Sequence, residues 1–172
     1  SSVGTSMAAA MYVKSGKVEW KTAIISAVLS FAGSFTGSKI ALVIDQTMLK
    51  KAFTLLLPFI AIFVLFNKKD DNPVQKLYGT KLYIAAGLIG FVIGIYDGLI
   101  GPGTGTFLIF AYTIFIGFDY ITAGGNAKVV NLASNVAAAA NYIIAGKVIW
   151  AIALPAALCN LLGNYLGSAY AI

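Results

Sequence analysis

Several residue types on which catalytic and metal sites depend are scarce in this chain. It contains no histidine and no arginine, and its only cysteine is Cys159. A single cysteine excludes a disulfide framework and a cysteine metal site, and we expect neither a metal nor another cofactor. A membrane-embedded enzyme would need a nucleophile with a base, or metal ligands, so the composition argues against catalysis.

Charge is scarce as well. Charged residues make up 10% of the chain, against about 25% in soluble domains, while hydrophobic residues make up 59%. We therefore predict an all-α fold, a polytopic bundle of membrane helices. All twelve positive charges are lysines, and most of them lie between apolar segments. The basic pI of 9.4 is therefore a signal of membrane topology, and we expect lipid contact but no nucleic-acid partner.

The two ends of the chain resemble each other. With a shift of 130 residues, 1–42 and 131–172 agree without a gap at fourteen of 42 positions, including Gly-Lys-Val-x-Trp at 16–20 and 146–150. An internal duplication in an apolar chain is typical of secondary transporters, whose site lies between the repeats. We predict a first repeat at 1–66, a linker at 67–80 and a second repeat at 81–172.

The same shift leaves parts of each repeat without a counterpart. We therefore expect a fragment that lacks roughly 45–50 residues in front and roughly 25 or more behind. Duplication of only part of an ancestor is the alternative.

The distribution of lysines indicates the orientation. Two predicted crossings, 21–44 and 52–66, separate the turn near residue 17 from the linker, so both lie on one side. That side holds seven lysines, and the other holds Lys50 and Lys51, with Lys39 near the end of its helix. The positive-inside rule places the linker in the cytoplasm. Lys147 stands alone in the second turn, which favours inverted repeats over parallel ones.

A glycine-rich break at 94–106 interrupts the second repeat. A helix cannot run smoothly through Gly101-Pro102-Gly103, and broken backbone in a bilayer is tolerated only inside protein or beside a cavity. The flanking runs, 82–95 and 104–117, form either a re-entrant hairpin or one interrupted crossing. Freed N–H groups there favour an anion. The predicted substrate-binding residues of this break are Gly101, Gly103, Thr104, Gly105 and Thr106. A purely structural hinge is the alternative.

Asp97 lies beside this break, at the end of an apolar run. A carboxylate there is costly unless it is paired, solvated or protonated. We predict that Asp97 either couples transport to protons or fixes the loop.

A second polar group follows at Lys128, Asn131, Ser134 and Asn135. Their spacing places them on or beside one helical face, where an amine and carboxamides suit a small oxyanion. The alternative is that Lys128 reaches the membrane surface while the amides join helices. The repeat maps Asn131 and Asn135 onto Ser1 and Thr5, which favours a site with two polar sides. Replacing Lys128 with Gln is expected to abolish anion binding.

Two stretches resemble a known family. Tyr96-Asp-Gly-Leu-Ile-Gly-Pro-Gly-Thr-Gly-Thr-Phe107 is similar to the signature loop of the sulfite exporter TauE/SafE family, also called toluene-sulfonate uptake permeases. Asn126-Ala-Lys-Val-Val-Asn-Leu-Ala-Ser-Asn135 resembles the helix that follows that loop. The resemblance covers essentially the whole chain.

The resemblance implies a permease for sulfite, thiosulfate, sulfonates or related anions in the bacterial cytoplasmic membrane. The expected partners are a small anionic substrate and membrane lipid. Whether the chain assembles into a homo-oligomer is left open. An anion channel and a scaffold subunit without transport activity are the alternatives. Saturable flux that depends on a pH gradient would argue against a channel. Substitutions at Asp97 and Lys128 that leave the phenotype unchanged would favour a scaffold subunit.

Overall fold

The computed structural model describes residues 2–45, 47–51, 54–55, 58, 62 and 74–171. No strand occurs in these ranges, which confirms the all-α prediction for them. The helices are α1 (Ser2–Lys14), α2 (Trp20–Val43), α3 (Gly79–Leu99), α4 (Thr104–Ala111), which continues as a π-helix (Tyr112–Ile116), α5 (Tyr120–Ile144) and α6 (Trp150–Ala171).

Three helices in these ranges are long and apolar enough to cross a membrane, namely Trp20–Val43, Gly79–Leu99 and Trp150–Tyr170. They agree with the predicted helical membrane bundle. The predicted crossing at 52–66 and the residues 67–73 of the predicted linker lie largely or wholly outside the described residues.

α2 and α3 pack closely and run in the same direction. Gly90, Gly94 and Gly98 of α3 lie against the backbones of Ser26, Ser30 and Ser34 of α2, without room for a methyl group between them. Both series advance in steps of four residues, so the helices are parallel. The start of α3 therefore lies at the end of the bundle at which α2 begins.

The glycine-rich break is the tip of a re-entrant hairpin. Lys76, just before α3, donates its backbone N–H to the Ile116 carbonyl oxygen at 2.8 Å. Its Nζ donates to the carbonyl oxygen of Ile114 at 2.9 Å. The end of the π-helix therefore returns to the start of α3, which decides between the two arrangements that the sequence left open.

The hairpin tip lies inside the bundle, because Gly98 packs on Ser34 and α2 continues to Val43. The remaining nine residues of α2 extend about 13 Å beyond Ser34. The hairpin is held by a buried apolar cluster with the first half of α5. A buried hydrogen bond of 2.6 Å between the Tyr112 and Ser26 hydroxyls joins it to α2.

The turns after α1 and α5 have the same local structure. Gly16 and Gly146 have φ values of +69° and +65°. Three bonds from a backbone N–H to a carbonyl oxygen in the first turn recur 130 residues later. In the first turn they join Ser15 to Met11, Gly16 to Val13 and Lys17 to Tyr12. In the second they join Ala145 to Asn141, Gly146 to Ile143 and Lys147 to Tyr142. The duplication itself stays a prediction.

The helix pair α1–α2 and its repeat counterpart α5–α6 run in opposite directions. The Tyr12 ring lies near Gly124, whereas Ser2 Oγ donates to the Asn135 carbonyl oxygen at 3.3 Å. α1 and α5 are therefore antiparallel. α1 also packs on α6, and α2 packs on α5. The first helix of each pair therefore contacts the second helix of the other pair, as a two-fold axis between the pairs produces. Inverted repeats have this arrangement.

Candidate functional site

The tip of the hairpin owes its shape to two glycines. Gly101 has a φ of +90° and Gly103 a φ of +85°. Both lie in the left-handed region, which residues other than glycine rarely adopt. Pro102 between them supplies no N–H group. The sequence Gly-Pro-Gly therefore ends α3 and allows α4 to begin immediately at Thr104.

The first turn of α4 presents unpaired backbone donors. The N–H of Thr104 donates to the Gly101 carbonyl oxygen at 3.4 Å, and that of Phe107 to the Gly103 carbonyl oxygen at 3.0 Å. The N–H groups of Gly105 and Thr106 have no backbone acceptor among the described residues, as expected where a helix begins. The helix dipole adds partial positive charge at this position.

Asp97 connects the two arms of the hairpin. Its side chain is buried, and Thr104 Oγ1 lies 2.6 Å from its Oδ1. Thr104 Oγ1 is also 2.6 Å from the Gly101 carbonyl oxygen. The other carboxyl oxygen, Oδ2, is buried without a hydrogen bond in the described part of the chain, although Ser134 faces the group. Asp97 is therefore linked to the start of α4 through one carboxyl oxygen, and the other oxygen has no hydrogen bond within the described residues.

A cavity of about 390 Å³ lies beside the hairpin tip. It brings together seven of the residues that the sequence predicted: Asp97, Gly101, Gly103, Thr104, Gly105, Asn131 and Asn135. We call it the tip cavity. Its remaining polar side chains, Ser2 and Tyr142, were not predicted. Ser2 adjoins the predicted Ser1, and Tyr142 is paired with Tyr12 in the repeat alignment, so the sequence held a signal for both.

The carboxamides of α5 face the first turn of α4. Asn131 Nδ2 lies 3.8 Å from the position that a Cβ atom at Gly105 would occupy. Asn135 Nδ2 donates to the Asn131 carbonyl oxygen at 2.7 Å and to Asn131 Oδ1 at 3.1 Å. These bonds orient the Asn131 amide with its oxygen occupied and its NH2 group toward Gly105.

Other predicted residues do not line the tip cavity. Lys128 Nζ donates to Asn164 Oδ1 of α6 at 3.1 Å, because the long side chain extends toward α6. Ser134 is buried, donates to the backbone carbonyl oxygen of Asn131 at 3.0 Å, and does not line the cavity. Thr106 and Thr5 are also absent from the lining. Ser1 lies outside the described residues.

The tip cavity can therefore bind a small polar group through neutral donors. Within the described ranges no three His, Cys, Asp or Glu side chains are placed to hold a metal ion. The start of α4, at Gly105, and the Asn131 carboxamide meet at this cavity, and a helix N-terminus beside an amide donor suits an oxyanion.

Comparison with known proteins finds a family and several relatives. The family described as sulfite exporter TauE/SafE matches residues 1–172. The probable membrane transporter protein ORF9 of Sinorhizobium sp is 31% identical over 98% of this chain and 64% of its own length. A probable membrane transporter protein of Haemophilus influenzae is 33% identical over 80% of this chain and 54% of its own.

The probable membrane transporter protein YfcA of Escherichia coli K12 is 28% identical over 96% of this chain and 61% of its own. The chain thus spans between about half and two thirds of the length of these relatives. No solved structure matches it. Helices able to span a membrane and the family match over the whole chain lead to one conclusion: this multi-pass membrane protein belongs to the sulfite exporter TauE/SafE family.

Proposed function

We propose that this chain forms the core of a secondary transporter that moves a small sulfur-containing or organic anion, such as sulfite, thiosulfate or a sulfonate, across the bacterial cytoplasmic membrane. The anion binds in the tip cavity. The observation that carries this proposal is that the first turn of α4, at Gly105, and the Asn131 amide line the same cavity inside the bundle.

Neutral donors suit a substrate that must be released again. A charge-assisted hydrogen bond is roughly twice as strong as a neutral one. A site without a cation next to the anion binds it less tightly and lets it leave. Lys128, held by Asn164, contributes only at a distance.

The antiparallel helix pairs favour transport over a channel. The tip cavity lies where α1, α5 and the hairpin meet, between the two units. In transporters with inverted repeats the site occupies this position, and one unit moves against the other around it. An anion channel is the second candidate, and flux that rises without saturation would favour it.

Asp97 supports coupling to protons. A hydroxyl group has one proton to donate, yet Thr104 Oγ1 is within 2.6 Å of two oxygen atoms, one of them from the Asp97 carboxyl group. Both contacts become simple hydrogen bonds when the carboxyl group carries the second proton. A protonated Asp97 no longer repels an anion in the tip cavity, so anion and proton bind together.

The membrane orientation follows from the ends of the bundle. The carbonyl oxygen of Lys17 lies against Gly125, near the start of α5, and Lys76 contacts the end of the π-helix that leads into α5. These lysine-bearing segments therefore share one end of the bundle. The positive-inside rule assigns that end, with the linker, to the cytoplasm.

A binding screen on the purified full-length protein tests the proposal. Sulfite, thiosulfate and methanesulfonate are compared with chloride at equal ionic strength, and the midpoint of thermal unfolding is measured. A ligand stabilises the state that it binds. We expect at least one sulfur oxyanion to raise the midpoint in a saturable manner while chloride does not. The absence of any such shift, together with no measurable uptake into liposomes, would contradict the proposal.

A further inference from the structure

A second cavity, of about 660 Å³, adjoins the tip cavity at the end of the bundle where α2 and α5 end. Leu99, Ile100 and Tyr142 line both cavities. A single layer of three side chains therefore separates the second cavity from the tip cavity. We call the second cavity the outer vestibule.

The charge in the outer vestibule has one sign. Lys50, from the chain after α2, and Lys147, from the turn after α5, both line it. No acidic side chain belongs to its lining within the described residues. The two lysines come from distant parts of the sequence, so the fold, and not a local charge run, brings them together.

We propose that Lys50 and Lys147 form a capture site that concentrates a small oxyanion in the outer vestibule before it enters the tip cavity. This inference rests on the proposed function, because it assumes that the tip cavity takes an anion. Two cations at the mouth of a cavity raise the local concentration of an anion and its rate of entry, and dissolved salt weakens this effect.

The layer between the cavities makes the capture site distinct from the tip cavity. The Tyr142 hydroxyl donates to the Gly98 carbonyl oxygen at 3.0 Å, which holds the ring against the end of α3. Neither lysine lines the tip cavity. Removing the lysines should therefore change how fast the anion arrives and leave the contacts that hold it unchanged.

The experiment compares two double variants of the full-length protein in liposomes. Lys50→Gln with Lys147→Gln removes the charge of the vestibule. Lys39→Gln with Lys51→Gln removes the same charge from the same end of the bundle. Lys39 and Lys51 are exposed and do not line the vestibule. Initial uptake of radiolabelled thiosulfate is measured at ionic strengths of about 10 mM and about 500 mM.

We expect the vestibule variant to raise the KM for thiosulfate about fivefold or more at low salt, with little change in the maximal rate. This difference from the wild type should largely disappear at high salt, and the control variant should match the wild type throughout. Equal KM values for the two double variants would overturn the capture site alone. If the wild-type protein neither binds nor transports thiosulfate, the proposed function fails for this anion and the capture site fails with it.

Discussion

Replacing Asp97 with Asn should leave the anion bound while abolishing the dependence of binding on pH. Asn keeps the shape of the carboxyl group, and its NH2 group can donate to Thr104 Oγ1 as the protonated carboxyl group does. It has no proton to release, so it stays neutral at every pH. In the wild type, raising the pH ionises Asp97 and the carboxylate then repels the anion.

The size of this effect follows from linkage. Where Asp97 is ionised in the free protein, each bound anion takes up one proton, and affinity falls about tenfold per pH unit. Titration of thiosulfate binding between about pH 5 and pH 8 measures the slope. We expect a flat profile for Asp97→Asn. We also expect this variant to lose accumulation driven by a pH gradient, while exchange across the membrane continues.

Asp119→Asn provides a matched control for this experiment. Asp119 is exposed and accepts hydrogen bonds from the N–H groups of Ile121 and Thr122, both at 3.0 Å, at the start of α5. Asn serves equally well in that position, so stability should hold and the pH profile should stay that of the wild type. A wild-type slope in Asp97→Asn would show that Asp97 only fixes the loop.

Replacing Gly105 with Leu should eliminate anion binding by filling the tip cavity. Gly105 lies in the first turn of α4, and the nearest atom to a Cβ there would be Asn131 Nδ2 at 3.8 Å. The helix can therefore accept a side chain without a backbone clash, and leucine is a good helix former. Its apolar atoms would occupy the space in front of the Asn131 amide, so we expect affinity to fall by about a hundredfold or more.

Thr106→Val tests whether the effect is local. Thr106 is the next residue of α4, valine has nearly its shape, and its side chain does not line the tip cavity. Binding and thermal stability should remain close to the wild type. The anion affinity of Gly105→Ala should lie between those of Gly105→Leu and Thr106→Val. Full affinity in Gly105→Leu, measured on protein that remains folded, would place the anion elsewhere.

The sequence located the break and most of the tip cavity, because both depend on short-range properties of the chain. Glycine and proline at 101–103 interrupt a helix in any apolar segment, and the positions of Asn131 and Asn135 follow from helical spacing. The choice between hairpin and interrupted crossing depends on contacts of Lys76 with residues 114 and 116, far along the chain. Such contacts leave no mark in local composition.

Lys128 illustrates a second limit of sequence reasoning. Its helical position agrees with the predicted face, but four rotatable bonds let the amine reach Asn164 of α6. α2 also carries a sequence signal of helix packing, a serine at every fourth position. These serines are Ser26, Ser30, Ser34 and Ser38, and all four are buried. They mark the stripe where α3 and α5 pack.

The central claim is that an anion is held at the hairpin tip by the first turn of α4 and the Asn131 amide. The position of bound selenite, the heavier homologue of sulfite, in a crystal of the full-length protein tests it most directly through anomalous scattering. We predict one peak, close enough to the Gly105 backbone nitrogen and Asn131 Nδ2 for selenite oxygens to accept hydrogen bonds from both. A peak beside Lys128 and Asn164, with the tip cavity empty, would contradict the account.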